Sequence, residues 1–259
     1  MKVMKIALCL SGMPRSVEEA YPYIKKAILD GNDVDIFAHT WLEDPWRKEH
    51  QSKKENHEIY SPPELDYETR VNEITKILTL YRPKSFSLDQ YHIRQEYYES
   101  NENYSLATRW CSCMESVYIA NELKKKYEEQ NHFKYDCVIR CRYDHGLNEK
   151  IHFQDYNVQE YVYSIDVGKD PYIHINDAFV FSTSENMDKW SSLFLHMKEV
   201  AKVILENDQV LAELYKGKKM CIETHDMYAY WARICKLSPK IFKMNEFLVR
   251  VSKDKKQFC

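Results

Sequence analysis

Residues 4–10, MKIALCL, form a short apolar run that Ser11 and Gly12 stop, and a helical repeat follows at once. Pro14 admits a helix start near Ser16, and Val17, Ala20 or Tyr21, Ile24, Ala27 and Ile28 recur at helical spacing through Leu29. After Gly31-Asn32 comes a second apolar run, VDIFAHTW at 34–41. Two apolar strands joined through one helix have a common solution, the right-handed parallel crossover. Parallel strands are covered on both faces, which is why they read as continuous apolar runs. The start of the chain therefore predicts an α/β fold: a mostly parallel central sheet flanked by helices, Rossmann-like.

The rest of the chain continues the alternation. Val71, Ile74, Ile77 and Leu78 predict a second helix ending before Pro83, and KSFSLDQY at 84–91 a third strand. Leu106, Trp110, Cys113, Val117 and Ala120 trace one face of a long helix from about 105 to 129. YDCVIRCRYD at 135–144 reads as a strand followed by a turn at His145-Gly146; YVYSI at 161–165 and AFVFS at 178–182 are two more. Met187, Trp190, Leu193, Phe194, Met197, Ala201 and Ile204 predict a further helix, and a shorter one spans about 223–236. Residues 43–68 are polar, with Pro62-Pro63, and predict a long surface excursion able to close as a lid. At 259 residues and 44% apolar content, one domain over 1–259 is expected.

Composition narrows the partners. The 37 Lys and Arg nearly balance the 40 Asp and Glu, for a formal charge of −3, so no global field recruits nucleic acid or an anionic membrane. Only 5 Gly occur, and no G-x-G-x-x-G is present. The 20 Tyr supply rings of the kind that stack on sugars, although many such rings serve a core. No apolar run reaches the ~18 residues of a transmembrane helix, and MKVMKIALCLSG lacks the pattern of a secretory signal, so a cytoplasmic protein is expected. In that compartment the 8 Cys are expected to be reduced, and no zinc-type spacing is present.

Three constellations carry chemistry. SGMPRS at 11–16 sits where a strand hands over to a helix, the place where open α/β sheets bind ligands through free amides and the helix dipole. Arg15 adds a fork suited to a diphosphate, or else is an exposed turn residue. R-x-R-x-D places Arg140, Arg142 and Asp144 on one strand face and Cys137, Ile139, Cys141 and Tyr143 on the other. An internal ion-pair network is expected for Arg140, and a functional role for Asp144 at the strand's carboxyl end. Asp177, beside Asn176, and Glu223 and Asp226 are candidate general bases; the bland alternative for the last two is helix capping. His225 is a candidate metal ligand.

In order, ALCLSGMPRS, VDIFAHTW, the long helix, YDCVIRCRYD and INDAFVFS resemble the small GT-A nucleotide-diphospho-sugar transferase-like proteins of bacterial surface-polysaccharide loci and large DNA viruses. The resemblance runs over roughly residues 4–230. It implies a single GT-A-like domain that moves a sugar from a nucleoside-diphosphate-sugar donor to a glycan or glycoprotein acceptor, in the host-cell cytoplasm if viral. Ser11, Gly12 and Arg15 would line the diphosphate, Asp144 would stand at the last acid of the D-x-D motif that carries Mn or Mg, and Asp177 and Glu223 would face the acceptor. Arg142 replaces the first acid of that motif and offers its own charge to the leaving diphosphate. Two alternatives stay open. P-R-S after a first strand is similar to the phosphosulfate turn of sulfotransferases, and a non-catalytic carbohydrate- or nucleotide-binding protein would share the same fold.

Overall fold

The computed structural model describes residues 3–42, 67–90, 104–166, 171–172, 174–200, 224–244, 246–251 and 256–258. Strand β1 (Lys5–Ser11) lies at the centre of a seven-stranded sheet, between β2 (Asp33–Trp41) and β4 (Cys137–Cys141), and is parallel to both. The full order is β3-β2-β1-β4-β7-β6-β8, with β3 (Ser85–Asp89), β6 (Val162–Ile165), β7 (Phe179–Ser182) and β8 (Pro239–Phe242). Only β7 is reversed, pairing antiparallel to β4 and β6. A mixed α/β fold of Rossmann-like character thus stands as read.

Alternation along the strands divides the core in two. Ile6, Leu8 and Leu10 of β1 and Cys137, Ile139 and Cys141 of β4 pack with Val17 and Ile24 of helix α1 (Val17–Ile24), which runs on as a π-turn to Leu29. Helix α2 (Tyr67–Lys76), with its own π-turn to Tyr81, joins this layer, and Tyr21 meets Tyr81 edge to face at 5.0 Å. Ala7, Cys9, Val138 and Val180 face the other way, onto helices α3 (Tyr104–Asn131), α4 (Ser184–Ser191) and α5 (Thr224–Ile234). That Cys137, Ile139, Cys141 and Tyr143 fall in one cluster and Val138 in the other agrees with the face assignment made from sequence.

Four features depart from expectation. Regular strand β4 ends at Cys141, and Tyr143-Asp144 form a turn. His145-Gly146 belong instead to a short strand, β5 (His145–Leu147), pairing with β9 (Glu246–Val251), which pairs with β10 (Lys256–Phe258) in a separate three-stranded sheet. Strands β8 to β10 had no strand reading at all. The helix from Met187 leaves α-geometry after Ser191, where the Ser191 and Ser192 hydroxyls bond back to the carbonyls of Asp188 and Lys189, a competition that loosens helices. The excursion at 43–68 lies outside the described residues except for Tyr67 and Glu68, which open α2. No helix among the described residues is long and apolar enough to cross a membrane.

The strand order places a switch point between β1 and β4: the chain steps outward through β2 and β3, then α3 carries it back to the opposite side of β1. Crevices at such points, outside the carboxyl ends of the strands, are where open α/β sheets bind ligands.

Candidate functional site

Both strands that flank the switch point end in the motifs singled out above. Beyond β1, Gly12 takes φ +117°, a conformation that L side chains rarely adopt. Its carbonyl accepts from Thr40 Oγ1 at 2.8 Å and its amide donates to Ser116 Oγ at 2.8 Å. Ser116 Oγ in turn lies 2.7 Å from His39 Nδ1. Burial is the main influence on His39 and pushes its imidazole down to about 4 despite Asp89, so the ring is neutral at neutral pH. Ser116 therefore donates to Nδ1 and Nε2 carries the proton, 3.2 Å from Asp89 Oδ2 though not aligned as a hydrogen bond. Asp89, His39 and Ser116 are the residue types of a nucleophilic triad, but Ser116 and His39 are fully buried and spend their polar atoms on the Gly12 loop. Their work is to hold that loop.

The loop is less open to an anion than its sequence suggests. Ser11 is fully buried, and the Gly12 amide is committed to Ser116. Ser16, the residue before α1, makes no side-chain cap; the Val17 amide instead donates to Glu73 Oε2 of α2 at 2.8 Å. A carboxylate already satisfies this helix end, where the sequence led us to expect free amides. What the loop offers is the Arg15 guanidinium.

Beyond β4, Arg142 Nε and Nη2 donate to the two oxygens of Asp144 at 2.8 and 2.7 Å, a bidentate fork between residues two apart. Burial opposes ionisation of Asp144, but Arg142, and after it Arg15 and His145, hold the carboxyl below its ordinary value. Arg15 is thus near enough for its charge to act on Asp144, and β1 and β4, parallel neighbours, end at the same edge of the sheet. Arg140 is buried; its Nη1 donates to the Ala178 carbonyl at 2.6 Å and its charge helps to ionise Asp177. It serves the interior.

Because β7 runs backward, the segment entering it lies at this same end of the sheet, Cys141 pairing with Phe179. Asn176 Oδ1 accepts from the Ala178 amide at 2.8 Å. Asp177 accepts from Cys113 Sγ at 3.2 Å, and its Oδ1 is 3.5 Å from His225 Nε2. Burial raises the Asp177 carboxyl, yet His225, Arg140 and Arg142 overcome it and hold the group at about 2. Burial likewise pushes the Cys113 thiol up to about 12, so it stays protonated and donates. Asp226 Oδ1 lies 2.9 Å from His174 Nδ1, and the His174 and His225 rings stack at 4.6 Å. Asp177, Asp226 and His225 are therefore brought together. Glu223 lies outside the described residues.

A divalent Mn or Mg does not fit the described residues well. Asp144, the carboxylate expected to hold it, has both oxygens in the Arg142 fork, and no group of three His, Cys, Asp or Glu among the described residues is gathered to hold an ion. Sequence reasoning missed His174, Cys113, Ser116, His39 and Glu73. His174 alone had a visible signal: it stands two and three residues before the Asn176-Asp177 pair already suspected. No protein-family model matches the chain, and no curated protein matches it either.

Proposed function

We infer that the chain is a glycosyltransferase that takes a nucleoside-diphosphate-sugar at the carboxyl ends of β1 and β4. The observation that carries this reading is the Arg142–Asp144 fork, with the Arg15 charge near enough to act on Asp144, at the switch point of a mostly parallel sheet. Two guanidinium groups from different strand ends suit a diphosphate, which leaves with developing charge on its oxygens. Asp144 fixes the orientation of Arg142. The cluster of Asp177, Asp226 and their imidazoles, on the same rim, faces the acceptor side. The Glu73 carboxylate on the Val17 amide counts against the phosphosulfate alternative, which needs that helix end for its own anion.

Thermal unfolding with uridine or guanosine diphosphate, compared with adenosine 3′,5′-bisphosphate, tests the reading. At about 100 times Kd a ligand adds about 2.7 kcal/mol, which for a chain of this size raises Tm by roughly 5–10 °C. One nucleoside diphosphate should do so, and Arg15→Ala should remove the shift. A shift from the adenosine bisphosphate alone would refute the assignment. A screen of sugar donors for diphosphate release, with and without Mn or Mg, then identifies the donor and decides the metal question.

A further inference from the structure

We propose that His174 is the proton-accepting group of the acceptor side, with Asp226 as its positioning residue. This deepens the glycosyl-transfer reading and rests on it. The two described carboxylates suspected as bases are poorly placed for that work. Asp177 and Asp226 are each 5% exposed or less. Asp177 is enclosed by Cys113, His225 and the two arginines, and a carboxyl held at about 2 is a weak base.

His174 is scarcely more exposed, at 6%, but its ring keeps one nitrogen that no described group engages. A carboxylate only accepts, so the 2.9 Å contact with Asp226 places the ring proton on Nδ1 and leaves the lone pair on Nε2. Nε2 makes no hydrogen bond among the described residues. The ring is fixed twice: Asp226 holds its edge and His225 its face, with the planes 16° apart. His225 is pinned in turn, Nδ1 lying 2.9 Å from the Ile175 carbonyl and Nε2 3.5 Å from Asp177 Oδ1. Both nitrogens of His225 thus face protein groups, whereas His174 keeps one for a substrate. The groups around the pair are Asp226 and His225 from α5, Asp177 from the segment before β7, Cys113 from α3, and Arg140 and Arg142 beyond Asp177.

In the step this permits, an acceptor hydroxyl gives its proton to His174 Nε2 as its oxygen forms the new bond to the anomeric carbon. The bond from that carbon to the diphosphate breaks, and its electron pair leaves on the diphosphate oxygen facing Arg15 and Arg142.

The first test needs no substrate. Diethyl pyrocarbonate, which acylates unprotonated imidazole nitrogens, is applied to the full folded chain near neutral pH and the sites are read by peptide mass spectrometry. His174 should be labelled, and Asp226→Asn, whose amide can donate to Nδ1 and shift the ring proton to Nε2, should lower that labelling. No label on His174 until the chain is denatured would overturn the proposal; equal labelling in Asp226→Asn would overturn the positioning role. The second test uses the donor found in the screen. His174→Asn keeps an amide able to donate to Asp226 but lacks the base, so kcat should fall by about 10²–10⁴-fold while the thermal shift with nucleoside diphosphate is unchanged. Full turnover in that variant refutes His174 as the base. If no donor reacts while His174 labels as described, the transferase reading fails and the reactive imidazole held by Asp226 stands.

Discussion

Replacing Asp177 by Asn removes a charge and keeps the shape, and its cost follows from the surroundings of the group. The carboxyl falls from the usual 3.8 to about 2, although burial alone would raise it, because His225, Arg140 and Arg142 surround it. That depression corresponds to about 2 kcal/mol in favour of the folded, ionised state. Asp177→Asn should therefore lose about 2 kcal/mol at neutral pH, lowering Tm by roughly 4–8 °C for a chain of this size. The folded value lies below the unfolded one, so this contribution is complete above about pH 5 and disappears as pH falls through the folded value. The gap between wild type and variant, measured by urea unfolding, should shrink to about half near pH 3. An equal gap at pH 3 and pH 7, or none at neutral pH, would refute the claim that charge and not shape makes Asp177 important.

Three further substitutions test the scaffold around the site. Ser116→Ala removes the acceptor of the part-buried Gly12 amide and the partner of the buried His39 ring, and should cost about 1–3 kcal/mol in denaturant unfolding, with no loss expected if the loop is held by Thr40 alone. Glu73→Ala uncaps α1 from outside its own chain segment and should cost about 0.5–2 kcal/mol; the freed helix end should also strengthen inorganic phosphate binding, read by the same unfolding assay. Lys124 is fully buried with Nζ 2.6 Å from Asp188, 3.3 Å from Glu128 and 2.8 Å from Ser184. Lys124→Met leaves those acids without their central cation and should cost about 3–5 kcal/mol, and a neutral result would mean that the network rearranges around Lys134, already 2.9 Å from Glu128.

The fold's centre was legible because burial on both faces writes itself into composition. β1, β2 and β4 are mostly apolar through their middles, and the residues between them that pack on the sheet recur at helical spacing. What was not legible depends on partners far away in the chain. Nothing in His145-Gly146-Leu147 announces a strand, since its partner lies about a hundred residues later in β9. Ser16 looks like a helix cap, yet Glu73 performs that role from another helix. Within the site, Arg15 and Asp144 were readable as charges at strand ends. His174 offered only its nearness to the Asn176-Asp177 pair, because a histidine in an irregular segment has no further pattern until Asp226 is placed against it.

The pairing of β5 with β9 has a consequence for assembly. Asp144's carbonyl accepts from the Val249 amide at 2.8 Å, so the turn that aims its carboxylate is tied down by a strand near the end of the sequence. A chain emerging from the ribosome can build its first crossover early, yet that turn gains its tether only when β9, about a hundred residues later, has been made. Any form that lacks β9 leaves the Asp144 turn without this bond.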